Sequence, residues 1–261
     1  MVGQSFGLME KQIPENKRIY FVSDAHLGLP PREKSLAREK LLVKWLDEIR
    51  KDAFEIYLLG DIFDYWFEYK KVVPRGFVRF LGKIAEIRDS GIPVYFFTGN
   101  HDVWIFDYLP EELGVEIYHN PISRTFNDKR FYLAHGDGLG PGEKTYKLLK
   151  KIFTSSILQW LFARLHPNTA TGFAHRWSQS SRFSKGNYVP WLGEEKEHLI
   201  IHSKKLLETE NYDFFIYGHR HVVKELIIEE KSKVVYLGDW FVNFTYAVFD
   251  GEDLELLKYE G

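Results

Sequence analysis

Three times within the first hundred residues a short run of aromatic, β-branched and leucine side chains stops at a polar cluster. Arg18 to Ser23 runs into Asp24-Ala25-His26-Leu27-Gly28, Tyr57 to Leu59 into Gly60-Asp61-Ile62-Phe63-Asp64, and Val94 to Thr98 into Gly99-Asn100-His101-Asp102. Short runs of this composition between turn formers read as buried strands. Amphipathic helices separate them. Ser35 to Lys51 carries Leu41, Leu42, Trp45, Leu46 and Ile49 at helical spacing, and Arg75 to Asp89 carries Phe77, Val78, Leu81, Ile84 and Ala85 on one stripe. Strand and helix in alternation imply an α/β fold whose first half is a parallel sheet. The carboxyl ends of parallel strands share one rim, where open α/β sheets bind ligands. That rim collects Asp24, His26, Asp61, Asn100 and His101.

The second half changes character. Val115 to Tyr118, Ser123 to Phe126 and Lys129 to Ala134 read as closely spaced strands, with Asn127-Asp128 a hairpin turn. The last of them runs into His135-Gly136-Asp137-Gly138. Thr145 to Leu165 reads as one helix with apolar residues almost all round, and Gly172 to Ser184 as another. Leu199 to Glu210 is a helix of the main body, and Tyr212 to Tyr217 a strand ending in Gly218-His219-Arg220-His221. Glu225 to Glu230, Val234 to Leu237, Tyr246 to Phe249 and Leu254 to Tyr259 are expected to finish the chain as antiparallel strands.

Composition narrows the chemistry. There is no cysteine, so disulfides and thiolate metal sites are excluded and a reducing cytoplasm is the expected setting. Met1 to Lys17 lacks the apolar core of a secretory signal, and no apolar run approaches the roughly 18 residues of a membrane span. The protein is therefore expected to be soluble, or at most to lie on a membrane surface. Residues 141–205 hold eleven Lys/Arg against four Asp/Glu, a local balance of +7 in a chain of net charge −2. A basic, aromatic segment in an acidic body points to an anionic partner, although a solvated basic helix pair gives the same count.

One Asp-x-His is common, and a lone Gly-Asp is a turn. Five strand-end clusters of carboxylate, amide and imidazole in one chain are another matter. Such oxygen and nitrogen donors suit Mn, Fe or Zn. In their order, Asp24-x-His26, Gly60-Asp61-x-x-Asp64, Gly99-Asn100-His101-Asp102, His135-Gly136-Asp137 and Gly218-His219-x-His221 resemble the signature of the calcineurin-like metallophosphoesterase family. The resemblance runs from about Arg18 to the end and implies a four-layer α/β/β/α sandwich, a single domain over 1–261, around two divalent metal ions, Mn²⁺ first and Fe or Zn acceptable. It implies that Asp24, His26, Asp61 and His221 hold one ion, that Asp61, Asn100, His135 and His219 hold the other, and that Asp61 bridges them. His101 would serve as acid or transition-state partner near the leaving oxygen, Asp102 would orient its imidazole, and Asp64 and Asp137 would support the ligands. His119, His166, His198 and His202 fall outside the motifs and read as surface or packing residues, as does His175 in the basic segment.

Ile56 to Phe67, Gly91 to Asn100 and Leu133 to Asp137 are similar to the UDP-2,3-diacylglucosamine pyrophosphatases of lipid A biosynthesis. This narrower resemblance implies a helical cap inserted over 140–198, with an apolar cleft for two acyl chains. It makes Arg176, Ser178, Ser181, Arg182 and Lys185 the grip on the sugar phosphate. The implied substrate is a lipid-linked nucleotide whose pyrophosphate is split, by attack of a metal-bridging hydroxide, into UMP and 2,3-diacylglucosamine 1-phosphate. The implied place is the cytoplasmic face of the inner membrane, peripherally bound, with no nucleic-acid partner. The chain departs from the best-characterised branch at His101, where that branch has arginine, and at Gly138, where a hydroxyl residue is expected. Two alternatives stay open: a broader metallophosphodiesterase or phosphatase acting on another nucleotide or lipid phosphoester, and a scaffold that keeps the fold without catalysis.

Overall fold

Alternation along the strands builds the layers. In the computed structural model, which describes residues 10–142, 144–173 and 190–261, the strands are β1 (Glu10–Lys11), β2 (Arg18–Val22), β3 (Ala53–Leu59), β4 (Val94–Phe97), β5 (Glu116–Tyr118), β6 (Ile122–Phe126), β7 (Lys129–Ala134), β8 (Phe214–Tyr217), β9 (Val223–Ile228), β10 (Ser232–Leu237), β11 (Thr245–Phe249) and β12 (Leu254–Lys258). The helices are α1 (Arg32–Ile49), α2 (Val78–Asp89), α3 (Tyr108–Leu113), α4 (Lys144–Phe153), α5 (Ser156–Phe162) and α6 (His198–Leu207). Residues 167–173 are also helical.

The strands form two six-stranded sheets, ordered β12-β11-β2-β3-β4-β5 and β1-β6-β7-β8-β10-β9. Neighbours from β2 to β5 pair in parallel, as do β7 with β8 and β8 with β10. Ile19, Phe21, Tyr57, Leu59, Tyr95 and Phe97 of the first sheet meet Phe131, Leu133, Phe214, Ile216, Val235 and Leu237 of the second. The alternate residues Tyr20, Val22, Ile56, Leu58, Val94 and Phe96 face the opposite way, into a core with Leu42, Trp45 and Leu46 of α1 and Ile84 and Ile87 of α2. On the far side, Tyr132, Phe215, Tyr217, Val234 and Tyr236 pack with Leu199 and Ile200 of α6. The expected α/β/β/α sandwich is what forms, and strands apolar on both faces are why their sequences read as continuous hydrophobic runs.

Two expectations need correction. The closing strands are not all antiparallel, because β10 inserts between β8 and β9 and runs parallel to β8. The single helix over Thr145 to Leu165 is in fact α4 and α5, broken at Thr154-Ser155. Thr154 Oγ1 bonds back to Lys150 O at 2.8 Å, and Ser155 is extended with φ −69° and ψ 117°. Phe153 O then accepts from Trp104 Nε1 at 2.8 Å and Gln159 Nε2 at 2.9 Å, so side chains satisfy a carbonyl the helix end has released. Phe162 stacks on Trp104 at 5.2 Å and lies 4.8 Å from Phe67, which seats α5 on the body. Among the described residues no helix is long and apolar enough to cross a membrane.

Candidate metal centre

The loops that follow β2, β3, β4, β7 and β8 converge, and their backbones are laced together. Asp24 N donates to Gly60 O at 3.0 Å, His26 N to Asp61 O at 2.9 Å and Gly218 N to His135 O at 3.0 Å. Asp24, His26, Asp61, His219 and His221 all have positive φ, between 44° and 65°. Such a conformation costs about 1–3 kcal/mol per non-glycine residue and persists where its surroundings over-determine it, most often at functional sites. Two glycines make room for the convergence. A Cβ on Gly60 (φ +85°) would sit 2.5 Å from His135 Nδ1, and one on Gly99 would overlap the carboxylate of Asp61.

Seven side chains meet there. His221 Nε2 is 3.1 Å from Asp24 Oδ1 and 3.3 Å from His26 Nε2, and His26 Nε2 is 3.9 Å from Asp61 Oδ2. His135 Nε2 is 3.4 Å from the same Asp61 oxygen. The separations of 3.1, 3.3 and 3.4 Å are those of atoms sharing a cation at about 2.0–2.2 Å, whose neighbouring ligands lie roughly 3–3.5 Å apart. Donor atoms of Asp24, His26 and His221 fall within 4.8 Å of one another, as do those of Asp61, His135 and His219, and those of His26, Asp61 and His101. Asp61 belongs to two of these groups. The ring nitrogens are sorted by their other contacts. Leu59 O lies 2.8 Å from His135 Nδ1, and Asp64 Oδ1 lies 3.5 Å from His26 Nδ1, so Nε2 of both rings is the metal-competent atom.

Asp24 Oδ1, Asn100 Oδ1 and His135 Nε2 are buried with no hydrogen bond of acceptable geometry. Unsatisfied buried polar atoms of this kind are costly unless something else satisfies them. A pair of divalent cations fits this donor set of carboxylates, imidazoles and one amide oxygen. The protonation energetics agree. Burial opposes the charged form of Asp61, but His135, His101 and His26 outweigh it and hold the carboxyl well below its usual range. Burial likewise pushes His135 down, yet Asp61, Asp24 and Asp137 lift it to about 10. The cavity asks for positive charge.

Asp102 does not orient His101. Its oxygens accept from the backbone amides of Gly99 (2.7 Å), Ile62 (2.9 Å), Asp61 (3.3 Å) and Phe63 (3.3 Å), binding the loops after β3 and β4 to each other. His101 is positioned by Asp64 instead, whose carbonyl is 3.0 Å from Nδ1, while its own amide donates to Asp61 Oδ1 at 2.8 Å. The family resemblance places Asp102 at the imidazole, but the backbone turn points it into the loop instead. Arg176, Ser178, Ser181, Arg182 and Lys185 lie outside the described residues, as does His175.

Other residues of the site were not anticipated. Arg38 of α1 is buried and donates to Ala25 O and His26 O, both at 2.8 Å, holding the Asp-x-His loop. Its signal was a charge on the apolar stripe of a helix, four residues before Leu42. Asp239 is buried and caps the amides of Phe241, Val242 and Asn243, and Phe241 then packs 5.6 Å from His26 and 5.2 Å from His221. Gly238-Asp239 after β10 is a further strand-end Gly-Asp pair, legible by the same rule as the others.

The calcineurin-like phosphoesterase family matches residues 17–223. The chain belongs to that family. It is also 40% identical over 257 residues, 93% of its length and 98% of the relative's, to a Porphyromonas gingivalis protein named UDP-2,3-diacylglucosamine hydrolase. Proteins of the same name from Haemophilus influenzae and Histophilus somni are 28% and 24% identical, across 87% and 86% of this chain and 92% of each relative. This calcineurin-like phosphoesterase therefore carries a donor set suited to divalent cations at the place where its motifs converge.

Beside the His135 edge of the centre opens a cleft of about 680 Å³ lined by Thr98, Gly99, His119, Asn120, His135 and one face of α4. Lys150 Nζ bonds to Asp137 Oδ2 at 2.6 Å, and the Tyr146 hydroxyl to the same oxygen at 2.5 Å, fastening α4 to the loop that carries His135.

Proposed function

We propose that the protein hydrolyses the pyrophosphate of UDP-2,3-diacylglucosamine, giving UMP and 2,3-diacylglucosamine 1-phosphate. The observation that carries this reading is full-length similarity to proteins named for that activity, at 40% identity in one case, joined to a convergent two-cation donor set. Asp24, His26, Asp61 and His221 would hold one ion and Asp61, Asn100, His135 and His219 the other, with Mn²⁺ the expected metal. Two such ions supply charge stabilisation for an in-line displacement and an activated water. The chain's own residues supply the rest. Asp61 fixes the spacing between the two donor sets, and Asp64 O holds His101 Nδ1, so that acid–base work on the phosphoryl group passes to the other ring nitrogen.

Residues 140–198 are the cap in this reading. On α4, α5 and the helical residues 167–173, Leu148, Ile157, Trp160, Leu161 and Phe173 are each at least half exposed. Monomeric surfaces rarely carry apolar side chains so densely, and acyl chains or the membrane surface that holds them would cover these. The enzyme would then act at the cytoplasmic face of the inner membrane. The test is purified manganese-loaded protein with synthetic UDP-2,3-diacylglucosamine, assayed for both products beside cyclic nucleotides and simple diesters. Turnover of the lipid substrate with little diester hydrolysis is expected. No lipid turnover alongside good diester hydrolysis would sink the reading and favour a broader phosphodiesterase.

A further inference from the structure

Helix α4 is amphipathic the wrong way round for a helix resting on a body. Lys147, Lys150, Lys151 and, one step beyond the helix, Thr154 recur at helical spacing and line the cleft beside the metal centre. Leu148 and Ile152 point outward and are 62% and 41% exposed. A polar face turned inward needs something polar to meet. Asp137 meets Lys150, and Gly140 O accepts from Lys147 at 2.5 Å, which leaves Lys151 of the three without a partner among the described residues.

Across the cleft stand groups of a different kind. Tyr118 contributes a half-buried aromatic ring, backed by Phe97 at 5.2 Å, and Asn120 is exposed beside it. A carboxamide offers one donor and one acceptor side by side, the complement of an imide such as uracil. Aromatic faces accept a flat heterocycle by offset stacking. The volume, about 680 Å³, lies within the ordinary range for small-molecule sites.

We infer that this cleft is the nucleotide subsite: Lys151 takes the phosphate of the nucleoside monophosphate half, and Asn120 with the Tyr118 ring takes its pyrimidine. The inference rests on the proposed pyrophosphate hydrolysis and adds a division of labour to it. The two faces of α4 separate the two halves of the substrate, the lysine face holding the nucleotide inside and the leucine face turning toward the acyl chains.

Binding of UMP itself to the manganese-loaded protein, followed by titration calorimetry, tests this without any turnover. Saturable binding is expected in the unsubstituted protein, weakened about tenfold in Lys151→Ala and again in Asn120→Ala, each the loss of one good polar contact. Val78→Ser, exposed on α2 and outside the cleft lining, should leave UMP affinity unchanged. Both inner substitutions are at exposed positions, and unchanged melting temperatures would exclude misfolding as the cause. No saturable UMP binding, or wild-type affinity in both inner variants, overturns the assignment; weakening in Lys151→Ala alone overturns its pyrimidine half. Hydrolysis of UDP-2,3-diacylglucosamine by the unsubstituted protein, measured in parallel, separates the two claims. Turnover with UMP binding indifferent to both substitutions removes only the subsite, whereas cleft-dependent UMP binding without turnover removes only the proposed reaction.

Discussion

At the rim of the sandwich the donor side chains are each governed by a further group: His135 by Leu59 O, His26 by Asp64, and the Asp-x-His loop by Arg38. On α4 and α5 the arrangement is the opposite. Leu148, Ile157 and Trp160 stand 62%, 71% and 57% exposed, and the segment is held to the body by a few contacts, chiefly Asp137 with Lys150 and Trp104 with Phe153 and Phe162. Chemistry that tolerates no displacement is built where backbone strain and buried hydrogen bonds fix it, and in the proposed reading recognition of a flexible, apolar substrate is given to a segment that leaves several apolar side chains exposed.

If that contrast is right, substitutions at the rim should abolish chemistry for every substrate, and substitutions on the outer face of α4–α5 should touch only lipid substrates. Asp61→Ala should cut hydrolysis of both diester and lipid on the order of a thousandfold or more and lower the bound metal measured by elemental analysis. Asp102→Ala leaves the Gly99, Asp61, Ile62 and Phe63 amides without their acceptor. Metal affinity should fall about 10- to 100-fold and stability by about 1–3 kcal/mol, read by metal titration and by denaturant unfolding. His101 orientation should survive, because Asp64 and not Asp102 supplies it.

The third expectation concerns pH. His135 is lifted from 6.5 to about 10 in the folded, metal-free site, so the stability its protonated ring contributes is present below about pH 6.5 and is lost as pH rises through about 10. Asp61, held low, acts in the opposite direction: its contribution is present above the ordinary carboxylate range and lost as pH falls through its depressed value. A cation at Nε2 takes the place of the proton. The melting-temperature gap between manganese-loaded and chelator-treated protein should therefore widen from pH 6.5 to 10, and a gap constant with pH would contradict this account of the cavity. The smallest effect on stability belongs to Ile157→Ser, expected within about 0.5 kcal/mol of wild type because the side chain is 71% exposed. Lipid turnover should nonetheless fall severalfold while diester turnover holds, and equal losses on both substrates would break the division between rim and cap.

Much of this was legible in the sequence because its signals are local. Apolar runs that stop at Gly-Asp or Gly-Asn-His name both a strand and the side chains its end presents, so the layers and the seven donors follow from short stretches read one at a time. What escaped was set by tertiary contact. The break at Thr154-Ser155 depends on Trp104, fifty residues earlier, accepting the role of capping donor to Phe153 O. The backbone direction after His101 sends Asp102 into the amides of another loop, which adjacency in sequence does not reveal. Arg38 stands on the apolar stripe of α1, four residues before Leu42, but only the fold brings it under His26. The inward lysines of α4 were counted in the basic segment, but which way they face was not readable from an apolar pattern that surrounds the helix.

Asp61 is placed between two cations in the proposed reading. Anomalous scattering at the manganese edge, from crystals of the protein loaded with Mn²⁺, tests that directly. Two peaks about 3.5–4 Å apart are expected, one beside Asp24, His26 and His221, the other beside Asn100, His135 and His219, with the Asp61 carboxylate between them. A single peak, or two that Asp61 does not bridge, would contradict it.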